Sequence, residues 1–286
     1  MRREPFRLID ILMLGYLGVV TVVAMLRLAV RPGAIWVVAA NLLIAVLIYL
    51  LALSNEGRFS RILREVYPIV LIPALYGALD VLNGLEVRTW DPVVRRWEQA
   101  LFGEQLSLTW WQSSPSRFWS TVLHAAYFSY YFIIPFPLLY FLARKQPERA
   151  RTVVTLIVAT FLVCYVCFLL FPVAGPYYEF PRPTGPFVDN WAARLVYATL
   201  SKGSSYGAAF PSSHVGAAVA AVIGTWLGSR AVGAALAIPT LLLTVGAVYC
   251  QMHYVVDAIA GLAVPIIVAV AVLAAQRSAP EPVAAT

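Results

Sequence analysis

The sequence predicts an all-α polytopic membrane bundle of about eight transmembrane helices with a six-helix core. Three observations predict it. Of 286 residues, 61% are hydrophobic and only 12% charged, where a soluble domain carries about 25% charged. Mean hydropathy is +0.78. Apolar runs of about 20 residues recur, each long enough to cross a bilayer. The runs are continuous rather than alternating, which argues against a β-barrel.

The expected spans are 8–30, 34–53, 66–84, 121–143, 152–173, 210–228, 231–250 and 254–275. The first follows Arg2, Arg3 and Arg7, like a signal peptide, but its apolar run is longer than an h-region and no small-residue cleavage site follows. It reads as a retained helix. Asp80 and Asn83 interrupt the end of the third span. The organisation expected is two N-terminal helices over 1–65, a catalytic core over 66–276 and a disordered tail over 277–286.

Orientation follows from lysine and arginine. With the N-terminus inside, twelve of the 21 basic residues fall on the cytoplasmic side and nine on the other, and the short 144–151 loop carries four of the twelve. Both termini are then cytoplasmic, and the loops 85–120 and 174–209 lie outside. The net charge of +7 is read as loop charge, since no basic patch interleaved with aromatics suggests a nucleic-acid partner. Cys164 and Cys167 lie inside an apolar span and read as small buried hydrophobes.

In loop 85–120, Asp91-Pro92 reads as an N-cap and a first-turn proline. A short interfacial helix follows, with Trp97, Leu101 and Phe102 on its apolar face and Arg95, Arg96 and Glu98 toward water. Trp110, Trp111 and Trp119 suit the headgroup belt. An anchor or lid without chemistry accounts for this segment. Loop 174–209, rich in glycine, proline and aromatics, reads as an ordered cap over a site.

The chemistry concentrates in Ala209-Phe210-Pro211-Ser212-Ser213-His214 and Tyr249-Cys250-Gln251-Met252-His253-Tyr254-Val255-Val256-Asp257. The first reads as a helix start with Pro211 in the first turn, whose free amides and dipole favour an anion. In the second, His253 and Asp257 are four apart and share a face if helical. Only three histidines exist, His124, His214 and His253. Two of them fall on one membrane face, where ionisable groups are functional suspects. The set suits phosphoryl transfer through a covalent intermediate. His253 is the nucleophile, Asp257 fixes its tautomer, and His214 is the acid. Ser212, Ser213 and nearby amides supply donors to the phosphoryl oxygens. No metal or cofactor is called for. Zinc held by Cys250, His214, His253 and Asp257 is a rival use of the same residues, unaccompanied by a paired metal motif. A non-catalytic lipid-binding or transport protein is the other alternative. His124 and Tyr249 are placed as headgroup contacts, with core packing the alternative for His124.

Phe-Pro-Ser-Ser-His, followed by Val-Tyr-x3-His-Tyr-x2-Asp and a glycine, resembles the second and third motifs of the type-2 phosphatidic acid phosphatase superfamily. The resemblance implies the same roles for His253, Asp257 and His214, a six-helix core, an extracytoplasmic or lumenal site, and a lipid phosphate or phospholipid substrate. Four positions depart from the family pattern. Ser213 replaces a glycine. Gly246 and Ala247 stand where Ser-Arg is usual. Arg182-Pro183 matches the end of the first motif, but Gly175 stands at its lysine. Arg182 and Lys202 are the substitutes for the missing phosphate clamp. The lost Ser-Arg, with Leu101-Phe102-Gly103, Leu106-Ser107 and Phe171-Pro172 to Pro176, looks like the branch of inositol phosphorylceramide synthases, which move a phosphoalcohol headgroup between lipids. The residues alone leave water and a lipid alcohol open as acceptor.

Overall fold

A computed structural model describes residues 6–54 and 57–278. Arg2, Arg3 and the tail over 279–286 lie outside the described residues. The described chain is helical throughout, apart from loops and one isolated parallel bridge between Val173 and Ala208. The helices are α1 (Leu8–Arg27), α2 (Ala34–Leu53), α3 (Arg58–Asn83), α4 (Asp91–Phe102), α5 (Leu106–Ser113), α6 (Arg117–Phe128), α7 (Tyr130–Ile133), α8 (Phe136–Ala143), α9 (Pro147–Leu170), α10 (Pro176–Glu179), α11 (Trp191–Gly203), α12 (Ser213–Gly228), α13 (Arg230–Tyr249) and α14 (Val255–Ser278).

Among the described residues, α1, α2, most of α3, α9, α13 and most of α14 are each long and apolar enough to cross a bilayer. The run from α6 to α8, bent by 46° at a break that holds Pro135, passes the same test of length and apolarity when its parts are taken together. The proline cannot donate to the helical ladder, and it marks the bend. α12 is apolar but has 16 residues, about 24 Å at 1.5 Å per residue. The polytopic bundle expected from the sequence is therefore present. Boundaries differ at several helices: α3 begins at Arg58 rather than near 66, α6 at Arg117 rather than 121 and α9 at Pro147 rather than 152, and Arg277 and Ser278 belong to α14 rather than to a tail.

α9 is the centre of the bundle, with 78% of its most apolar window buried, whereas α2 buries 28% and faces outward. α12 packs on α9, α13 and α14. Its contact face is built of small residues, as in close-packed membrane helices. A Cβ on Gly224 would lie 2.9 Å from a Val153 methyl. At one end of the bundle, Arg64 pairs with Asp10 at 3.2 Å and Arg151 with Glu65 at 2.7 Å, joining α1, α3 and α9. At the other end, Arg27 donates to Asn83 Oδ1 at 2.7 Å and to the Leu169 carbonyl at 2.9 Å. The paired histidines lie at this second end.

The long loop there is ordered and holds a 13-residue helix, α11, that the sequence reading left as loop. Asn190 caps it, accepting from the Ala193 amide at 2.9 Å.

Candidate active site

Phe210-Pro211 is a cis peptide, and Pro211 stands outside α12 rather than in its first turn. Ser212 is the N-cap, its hydroxyl accepting from the Val215 amide at 3.4 Å. His214 follows in the first turn. His253 is not on a helix. It sits in the turn between α13 and α14, so the expected shared helical face is corrected: the turn, not helical periodicity, brings it to Asp257. Two amides fix that turn. Met252 and His253 both donate to the Ala247 carbonyl, at 3.0 and 2.8 Å. Asp257 is the third residue of α14, and its Oδ2 accepts from the Tyr254 amide at 2.9 Å, half of a capping box.

The imidazoles of His214 and His253 come to 6.0 Å between ring centroids. His253 Nδ1 lies 3.4 Å from Asp257 Oδ2. Asp257 is fully buried and His253 is 5% exposed. Burial pushes the His253 imidazole down to about 4, against the Ala209 carbonyl, which raises it. His253 is therefore neutral near pH 7, the state a nucleophile needs. Both rings face a cavity of about 500 Å³. Its lining is apolar at Ile69, Ile72 and Ile134 and polar at Asp80, Tyr178, Lys202, Ser204 and Ser205.

Of the expected phosphate ligands, Ser213 and Lys202 line this cavity. Ser212 does not: its hydroxyl caps α12 and its amide donates to the Asp257 carbonyl at 2.9 Å. Arg182 stands back from it, with its guanidinium 4.3 Å over the Tyr177 ring. His124 and Tyr249 do not reach the cavity. His124 is fully buried, with Nδ1 2.8 Å from the Ser120 carbonyl and the ring against Phe187 and Tyr197. The Tyr249 hydroxyl donates to the Ser114 carbonyl at 2.7 Å. Cys250 Sγ lies 3.3 Å from His124 Nδ1, directed away from the His214–His253 pair. Among the described residues no group of three or more His, Cys, Asp or Glu is placed to hold a metal ion.

The departures from the family pattern have a steric cause. Gly175 has φ +87, and a Cβ there would lie 2.7 Å from that of Ala209, so no lysine fits. A Cβ on Gly246 would stand 2.7 Å from the Leu123 carbonyl oxygen, and Ala247 is fully buried. α6 occupies the space that a Ser-Arg pair would need. The end of α6 and the start of α7 bring up tyrosines that the sequence reading missed. Tyr127 stacks on His214 with centroids 5.0 Å apart, and Tyr130 approaches it to 4.3 Å. The only sequence trace of this wall is the aromatic run from Tyr127 to Tyr131.

No curated protein and no solved structure matches the chain. A family model does: that of the PAP2 superfamily matches residues 93–272. The match spans more than half of the chain and every cavity-lining segment except α3. The chain belongs to the PAP2 superfamily.

Proposed function

We propose that this is an integral-membrane lipid phosphate phosphatase or phosphoalcohol headgroup transferase working through a phosphohistidine at His253. Superfamily membership supports phosphatase-type chemistry on lipid phosphates. The observation that carries the reading is the pair of imidazoles 6.0 Å apart across one cavity, the later one backed by a buried carboxylate.

His253 Nε2, opposite the nitrogen that faces Asp257, attacks phosphorus. The bond from phosphorus to the leaving oxygen breaks, and His214, which takes up a proton once the negative charge of the phosphate is bound beside it, delivers that proton to the leaving oxygen. Asp257 stabilises the charge that the first imidazole gains. Water or an acceptor alcohol then attacks the phosphohistidine. His214 takes the attacking proton, and the P–N bond breaks to restore His253. The helix start at Ser213, Lys202 and the tyrosine hydroxyls of Tyr127 and Tyr130 replace the family's arginine clamp as donors to the phosphoryl oxygens. Arg182 supports the site through Tyr177. The apolar part of the cavity lining suits an acyl chain and its polar part the headgroup or acceptor. By the distribution of basic residues, the site faces the non-cytoplasmic side of a membrane, read as a bacterial inner membrane. Residues 66–276 form the catalytic unit in this reading.

Transfer is favoured as the second step by the resemblance of 101–107 and 171–176 to headgroup transferases. The test is a panel of ³²P-labelled lipid phosphates, with and without inositol or diacylglycerol, following free phosphate and new lipid separately. Enzyme quenched in alkaline detergent, where a P–N bond survives, should carry label, and His253→Ala should carry none. Full turnover by His253→Ala or His214→Ala would remove the mechanism.

A further inference from the structure

α4 buries charge where an interfacial helix ordinarily buries apolar side chains. Its buried residues are Asp91, Val94 and Glu98, while Trp97, Leu101 and Phe102 are largely exposed. This reverses the expectation that Glu98 faces water, and it corrects Asp91 as well. Asp91 is the first helical residue rather than the cap, which is Trp90. Asp91 and Glu98 are two turns apart and share one face. No cation accompanies them there. Their partners are backbone amides and a tyrosine, which is how a carboxylate survives burial without an ion pair.

Those partners converge on the nucleophile. Asp91 accepts from the amides of Ala174 and Gly175, both at 2.8 Å, and from the Tyr254 hydroxyl at 3.1 Å. Glu98 accepts from the Val255 amide at 2.9 Å. Tyr254 and Val255 directly follow His253. On the same helix Trp97 stacks on Phe171 and meets Phe210 edge-on, each with centroids 5.9 Å apart. One short helix thus touches the chain on both sides of the cavity: the 171–175 loop, the start of the His214 segment and the turn that carries His253.

We propose that Asp91 and Glu98 form a two-carboxylate clasp through which α4 sets the position of the His253 turn, as positioning residues for the transfer. The clasp rests on the reading of His253 as nucleophile. It makes α4 part of the working site rather than an anchor. Its exposed aromatic and aliphatic side chains hold the same helix at the bilayer surface.

The test uses the full chain in detergent micelles, with phosphatidic acid as the turnover probe and orthovanadate as a phosphoryl probe that needs no lipid. Glu98→Ala removes the acceptor for Val255. It should lower kcat about 10- to 100-fold with KM changed by less than about twofold, as expected when a reacting group is misplaced. Glu98→Gln keeps an oxygen acceptor and should recover most of that loss. Asp91→Asn keeps one acceptor oxygen for three donors and should lose about tenfold in kcat. Both Glu98→Ala and Asp91→Asn should weaken orthovanadate binding. Where Glu98→Ala does not yield a monodisperse protein, Tyr254→Phe decides, since it deletes a single hydroxyl bond to Asp91. It should lower kcat and orthovanadate affinity at unchanged melting temperature. Wild-type kcat and orthovanadate affinity in Asp91→Asn and Tyr254→Phe would overturn the clasp, as would a loss in KM alone. Turnover by His253→Ala in the same assay would instead overturn the reading of the nucleophile and remove the clasp's purpose with it.

Discussion

The Ser212 amide donates to the Asp257 carbonyl at 2.9 Å. The helix that begins beside His214 and the helix that follows His253 are thereby joined at their first turns. Gly261 permits the approach, since a Cβ there would lie 2.7 Å from the Ser212 carbonyl oxygen. Gly261→Ala should therefore separate the two starts. The expected outcome is a loss of about 1–3 kcal/mol in stability from overpacking and a fall in kcat of tenfold or more, about the scale of a small misplacement. Melting temperature and turnover of the purified variant check both.

Asp257 has two separable duties, capping α14 and facing His253. Asp257→Asn keeps an oxygen for the Tyr254 amide but carries no charge. Turnover should fall about 10³- to 10⁴-fold, as when a triad carboxylate becomes an amide, while the melting temperature moves little. A kcat within tenfold of wild type would show that the carboxylate only holds the helix.

Restoring the family residues should harm this chain. Gly246→Ser drives a side chain against the Leu123 carbonyl, and Ala247→Arg places a guanidinium in a fully buried position. The double variant should be less stable and less active, because α6 fills the room the pair would need. A gain in activity would mean that α6 is free to move aside.

Glu98 makes stability depend on pH. Burial pushes its carboxyl up to about 7, the Val255 amide pulls it back, and Asp257 raises it further; the amides of Leu106 and Ser107 on α5 also face it. The folded state then keeps a proton that the unfolded state, with the ordinary value of 4.5, has released. The contribution of Glu98 to stability should therefore fall as pH rises between about 4.5 and 7 and then level off, while the lowered His253 contributes in the opposite sense between about 4 and 6.5. The stability difference between wild type and Glu98→Gln isolates this contribution and should change with pH over that window, whereas a constant difference would remove it. Thermal unfolding at pH 5, 6, 7 and 8 measures it.

Gln251 holds the turn from the other side. It sits at φ +61, its Oε1 accepts from the Trp111 indole at 2.8 Å, and its Nε2 donates to the Pro181 carbonyl at 2.9 Å. Gln251→Gly relieves the backbone and loses both bonds, whereas Gln251→Ala loses both and keeps the strain. Both should lower kcat, alanine more than glycine, and both should change Trp111 fluorescence. Equal stability of the two variants would remove the strain argument.

The apolar spans were legible because a bilayer demands long uninterrupted runs, and composition alone reveals those. His214, His253 and Asp257 were legible because rare ionisable residues at span ends stand out. What was hidden depends on contacts between distant segments. Glu98 looked like the polar side of an amphipathic helix because periodicity separates polar from apolar faces without saying which one meets backbone amides. Tyr127 and Tyr130 were missed because nothing in their own segment shows which distant ring they meet. Ser212 looked like an anion donor, and its hydroxyl is taken by the helix it caps. α11 was passed over because its apolar stripe, Ala192, Ala193 and Val196, is small, and the glycines and prolines around it dominate the local composition.

α3 lies outside the segment shared with the family, yet Tyr76 and Asp80 on it form part of the chamber opposite the histidines. In the function proposed above, the reacting groups lie inside the shared segment and part of the chamber wall lies outside it. A lineage could exchange this one helix and acquire a new substrate while leaving its reacting groups untouched. Proteins of this kind that share the histidine segments should be compared first in the helix that precedes them.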